Sequence, residues 1–225
     1  MTELQIDDAA FLGKLTAGAT HEIRNVLSVI KESAGLMEDL LELANGESFE
    51  HAEKFRKMTA NILGQVDRGS SLVKELNTLA HTTDDRVRSV DVQKVLLCLC
   101  ALYARFCRQK EINLTSRLSD SEVFIVTDPV RLHAAVCAVI DVLLEEAPQG
   151  SELSITSESG DRVIEVLFSV ASDKDLSPKN QGGEGIGEKV QRARSIAEAL
   201  GGSVEIGVRE WEARLILPRE HLSTK

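Results

Sequence analysis

From Leu12 onward, apolar side chains fall at Leu12, Leu15, Ala19, Ile23, Val26, Ile30, Ala34, Met37 and Leu41. Steps of three and four residues are the period of one helix face, and this run predicts a helix about eight turns long. Asn45-Gly46 breaks the pattern, and Ser48 is placed to cap a second helix. The stripe then resumes at Phe55, Met58, Ile62, Val66, Gly69, Val73, Leu76 and Ala80. Two amphipathic helices joined by a short turn form an antiparallel hairpin. Such a hairpin cannot cover both apolar faces alone, so a homodimer pairing two hairpins into a four-helix bundle is expected.

Residues 81–89 are polar and charged, and beyond them the pattern mixes two periods. Helices are expected over 92–107, from the Asp128-Pro129 cap to about Glu146, and from Gly187 to Leu200. Short strands are expected over 113–118, 123–126, 153–157, 163–170, 204–206 and 213–217. The expected class is α+β: a hairpin domain over 1–82, a linker over 83–90, and a layered domain of three helices on a mixed sheet over 91–225.

Composition narrows the function classes. Across 225 residues, 26 basic against 36 acidic side chains leave a net charge of −10. That balance opposes a phosphate-backbone binder, so no nucleic-acid partner is expected. No run approaches the roughly 20 apolar residues of a membrane span. The opening MTELQIDDAAF is acidic where a signal peptide is basic, and a cytoplasmic protein with no membrane partner is the expectation. Cys98, Cys100, Cys107 and Cys137 lie in apolar runs without a metal-ligand spacing and read as buried, reduced thiols. The histidines form no cluster, so no metal site is expected, and His51, His81, His133 and His221 receive no role. Trp211 reads as packing in the last hairpin, and Asp84-Asp85 as solvated linker.

Two constellations carry candidate chemistry. His21 lies midway between the stripe residues Ala19 and Ile23, so its ring should face outward. Asn25, one turn on, shares its face, and Glu22 is turned about 100° aside. A neutral imidazole attacks phosphorus through one ring nitrogen while a carboxylate orients it or takes the proton on the other. An amide one turn away can position a water. The second constellation is the glycine run 182–187, with Gly183, Gly185 and Gly187 directly before a helix, where backbone N–H groups can approach an anion.

Together these reach a family. FLGKLTAGATHEIRNVLSVI resembles the phosphoacceptor box of bacterial two-component sensor histidine kinases. TDPVRLHAAVCAVIDVLLEEAP is similar to their helix bearing the asparagine box, and GGEGIGEKVQRARSIAEALGGSVEI to their second glycine box and its helix. The resemblance implies a dimerisation and histidine-phosphotransfer hairpin followed by a Bergerat-type ATP-binding sandwich. It also implies His21 as phosphoacceptor, Glu22 as base or orienter, and Asn25 as the residue that places water for phosphatase activity.

The match breaks down on the nucleotide side. Ala138 and Val142 stand where the family carries asparagines that help hold magnesium and phosphate, and neither has a ligand oxygen. Ala171 stands at the adenine-reading aspartate, and Asp173 and Asp175 at two glycines. Carboxylates there would repel a triphosphate. On this basis ATP binding is doubtful, and Gly183, Gly185 and Gly187 read as a vestigial glycine box. The expectation is a phosphorelay histidine phosphotransfer protein, with His21 shuttling phosphate between response-regulator receiver domains or from a hybrid histidine kinase. No intrinsic cofactor is expected, Mg2+ being supplied by the receiver. The alternatives are a soluble ATP-dependent histidine kinase and a non-catalytic regulator that binds a receiver or a kinase.

Overall fold

The computed structural model describes residues 3–43, 52–80, 87–119, 121–172, 186–207 and 211–219. Helix α1 (Glu3–Leu43) and helix α2 (Ala52–Ala80) form the expected antiparallel hairpin. Ser48, His51, His81, Asp84-Asp85, Asp173, Asp175, Gly183, Gly185 and His221 lie outside the described residues.

The α1 stripe is used as its spacing predicts near the base of the hairpin, where Leu15, Ala19 and Val26 are buried. The α2 stripe differs. Leu72 and Leu79 are buried, whereas Val66 and Val73 are 45% and 55% exposed. The inward face has rotated by about one residue because it must meet both α1 and the following domain. Leu27 and Leu36 of α1 and Leu63, Val66 and Val73 of α2 are exposed apolar side chains.

The second domain begins earlier than its sequence suggests. Residues 88–90, expected in the linker, form with Asp91 strand β1 (Arg88–Asp91), which pairs antiparallel with strand β3 (Phe124–Thr127) as a two-stranded ribbon. Arg88-Ser89-Val90-Asp91 has a single apolar position, so no alternation registers. Helix α3 (Val92–Gln109) follows without a loop, because Asp91 caps it. Its carboxylate accepts from the Gln93 amide at 3.1 Å and from the Val123 amide at 3.3 Å, tying the cap to the next segment.

Strand β2 (Asn113–Arg117) leads towards helix α4 (Pro129–Glu146), which starts where Asp128-Pro129 predicts: the Asp128 carboxylate accepts from Val130 and Arg131 amides. Strands β4 (Glu152–Ser159) and β5 (Val163–Ala171), helix α5 (Ile186–Ala199), and strands β6 (Ser203–Gly207) and β7 (Glu212–Pro218) complete the domain. The main sheet runs β2-β4-β5-β7-β6, with β2 and β4 parallel and the other pairs antiparallel. It is the mixed sheet expected.

Gly201 ends α5 at φ +72°, and a Cβ on Gly202 would stand 2.2 Å from the Ile216 carbonyl oxygen. Only glycine allows this turn onto β6. The core lies between the helices and the sheet, with Leu96, Leu99, Leu132, Ile140, Leu153, Phe168, Trp211 and Leu215 among its buried members. Leu15, Ala19 and Leu79 of the hairpin belong to the same cluster. The hairpin and the α/β domain therefore share one continuous apolar core.

Candidate functional site

The site is built on the turns of α1 that face α3. Residues 14, 15, 18, 19 and 22 recur at the helical period and present one face to the second domain. Gly18 allows the two helices to close: a Cβ there would lie 2.6 Å from Phe106 Cζ. Beside it, Lys14 Nζ pairs with Asp141 of α4 at 2.5 Å and sits 5.3 Å from the ring centroids of Tyr103 and Phe106. The Tyr103 hydroxyl donates to the same Asp141 oxygen at 2.9 Å.

His21 and Asn25 are exposed on the adjoining face of α1, as their phase predicts. Glu22 is not beside the imidazole. Its side chain turns inward, 7% exposed, and its Oε1 accepts from Arg68 of α2 and from Arg108 Nη2 of α3 at 2.7 Å. Arg105 Nε faces Oε2 at 3.9 Å. No hydrogen bond joins Glu22 to His21, so the expected orienting contact is not made in this arrangement. Sequence could not show this, because α3 brings its two arginines from more than 80 residues away. Gly18, Ala19, Arg68, Ser71, Leu102 and Arg105 are among the walls of a cavity of about 120 Å³ at this junction.

On the nucleotide side, Val142 is buried and Ala138 half-buried, so the positions aligned with the ligand asparagines present hydrocarbon. Of the α4 carboxylates, Asp141 is held by Lys14 and Tyr103, Glu145 is paired with Lys189 of α5, and Glu146 is buried. Asp141 and Glu145 border a cleft of about 260 Å³ with Lys14, Gln109, Lys110 and Lys189. Both carboxylates already have cationic partners, and among the described residues no group of three potential ligands converges. The residues on α4 therefore do not fit a resident magnesium ion. Gly187 lies in the first turn of α5 with open space where a Cβ would go.

Two other groups have clear surroundings. His133 is buried on α4, its Nδ1 bonded to the Pro129 carbonyl at 2.6 Å and its Nε2 without a partner. Burial, which outweighs that hydrogen bond, lowers its pKa below the ordinary 6.5. The cysteines are free thiols, as their apolar setting predicts. Burial pushes Cys137 up to about 12, and Cys100 and Cys107 to about 11.

Comparison with known proteins adds an independent line. Residues 11–84 match the His Kinase A (phospho-acceptor) domain. Over 214 residues the chain is 28% identical to the sensor histidine kinase ZraS of Escherichia coli K12, covering 88% of this chain and 43% of that protein. ZraS of Salmonella typhi is 27% identical over 209 residues, 87% of this chain and 42% of that one. The chain thus spans less than half the length of the curated relatives it matches. The catalytic domain of histidine kinase ThkA superposes with a TM-score of 0.50 at 14% identity, over 61% of this chain and 99% of that domain, a likeness of fold. These findings overturn the expectation of a dedicated histidine phosphotransfer protein. The similarity to sensor histidine kinases runs through the hairpin and the α/β domain alike, and it favours the kinase alternative.

Proposed function

We propose that this chain, which belongs with the two-component sensor histidine kinases, is a transmitter unit that accepts the γ-phosphoryl group of ATP on His21. The carrying observation is an exposed imidazole on a hairpin packed directly against an α/β domain of kinase type. A neutral imidazole nitrogen forms the new P–N bond, and the γ-phosphorus–oxygen bond breaks with its electron pair on ADP. The proton on the other ring nitrogen must leave, and Glu22, the next residue along α1, is the carboxylate that takes it once its side chain turns to the ring. The phosphoryl group then passes to the aspartate of a response-regulator receiver domain. Exposed Leu27, Leu63, Val66 and Val73 support pairing of two hairpins in a homodimer.

Because α4 offers no metal ligands at Ala138 and Val142, metal-bound triphosphate has to be held by groups other than the family's asparagines. The test is incubation of the full chain with ATP labelled on its γ-phosphoryl group, with magnesium or manganese. Acid-labile label on the wild type and none on His21→Gln is expected. Absence of label on the wild type with either metal overturns the kinase reading.

One observation favours a second activity. Asn25 is exposed one turn from His21, placed to orient a water against a receiver's phospho-aspartate. Release of phosphate from a phosphorylated receiver should then require Asn25.

A further inference from the structure

The carboxylate best placed in sequence to serve His21 is committed elsewhere. Glu22 has two oxygens and three guanidinium partners: Arg68 and Arg108 donate to Oε1, and Arg105 faces Oε2. Two of the three arginines belong to α3, so the engagement depends on how that helix is seated. Its seat is tight, since Gly18 lies under the Phe106 ring with no room for a methyl group. Lys14 ties α1 to α4 through Asp141 on the same face. Leu15 and Ala19, between these contacts, are 1% and 2% exposed. A single face of α1 thus carries the apolar seat, the Lys14 pair and Glu22, while His21 lies on the next face, in solvent.

We propose that Arg105 and Arg108 withhold the Glu22 carboxylate from His21, so that seating of α3 against α1 keeps the phosphoacceptor slow and release of α3 returns its base. This rests on the reading of His21 as phosphoacceptor. In the seated state the imidazole has no adjacent carboxylate for its second ring proton, and solvent alone accepts it. When α3 lifts, Arg68 alone remains on Glu22, and a rotamer change brings the carboxylate to the ring. In the freed state, the lone pair of one ring nitrogen forms the P–N bond. The donor's own bond to phosphorus breaks with its electrons, and Glu22 takes the proton from the other nitrogen. Arg105 and Arg108 are positioning residues acting through Glu22, and the α3–α1 seat couples domain arrangement to the chemistry of one imidazole.

The test uses phosphoramidate, a small phosphoryl donor that needs no nucleotide site, on the full chain. Its P–N bond breaks and ammonia leaves as His21 is phosphorylated. Arg105→Gln/Arg108→Gln should label about a hundredfold faster than wild type, the lower range of what a positioned base contributes. Adding Glu22→Gln should abolish the acceleration, and Arg105→Lys/Arg108→Lys, which keeps the charges, should restore slow labelling. Phe106→Ala, which loosens the seat without removing a charge, should also accelerate labelling if the double variant is poorly folded. Labelling of both the double variant and Phe106→Ala at the wild-type rate overturns the inference, as does acceleration that survives Glu22→Gln. Failure of the ATP experiment alongside acceleration here would refute the kinase reading and leave the clamp standing.

Discussion

At the scale of the residue, position along α1 assigns different fates to neighbours. His21 and Asn25 share the solvent face, and Glu22, 100° round the helix, is drawn into the arginines. Asn25→Ala should lower receiver dephosphorylation by about two orders of magnitude, on the scale of a lost water-positioning group, while phosphorylation of His21 persists. Phosphate release from a phosphorylated receiver measures it directly. His133 gives a pH prediction. Its folded pKa lies below the ordinary 6.5, so as pH falls through 6.5 the unfolded chain takes up a proton that the folded chain refuses. Stability contributed by the neutral ring is complete above that value, declines below it, and levels off once pH passes the folded pKa. Denaturant midpoints between pH 7.5 and 5.5 should fall less for His133→Leu than for wild type.

At the scale of the element, the helix starts and stops follow local chemistry. Asp128 satisfies two amides of α4, and Asp128→Ala should cost about 1 kcal/mol in chemical denaturation. Asp91 does more than a cap ordinarily does, since it also receives the Val123 amide beside the β1–β3 ribbon. Its loss should cost more than that of Asp128. The packing of α1 on α3 is set by Gly18. Gly18→Leu would drive a branched side chain into Phe106 and should loosen the seat of α1 on α3, lowering the midpoint in chemical denaturation. The unpaired apolar side chains of the hairpin predict an association surface. Leu63→Glu with Val73→Glu should shift the mass in light scattering from dimer to monomer while helix content is retained.

At the scale of the whole molecule, one core unites the hairpin and the α/β domain, so damage deep in the sheet should be felt globally. Phe168→Ala, at a 1% exposed site on β5, should cost about 3–5 kcal/mol in the unfolding free energy. Trp211 fills the same core at φ +59°, which agrees with the packing role its place in the last hairpin suggested.

Much of this was legible along the chain. The helix periods of α1, α3 and α4, the Asp128-Pro129 start and the Gly201-Gly202 stop are local signals, carried by residues within a turn of one another. So is the outward aim of His21 and Asn25, which follows from helical phase alone. The alternation of short runs between Asn113 and Leu217 likewise marked the strands of the mixed sheet, but not that β3 lies outside it, paired with β1 from more than 30 positions away. Sequence could not say where Glu22 points or which face of α2 is buried. Both depend on α3, whose seat is chosen by contacts remote in sequence: Gly18 with Phe106, Lys14 with Asp141, and Glu22 with Arg105 and Arg108. Local pattern determines what each segment can form and which side chains it offers. Only close packing of the assembled elements decides which opposite charges meet, and here that decision turns the Glu22 carboxylate away from His21.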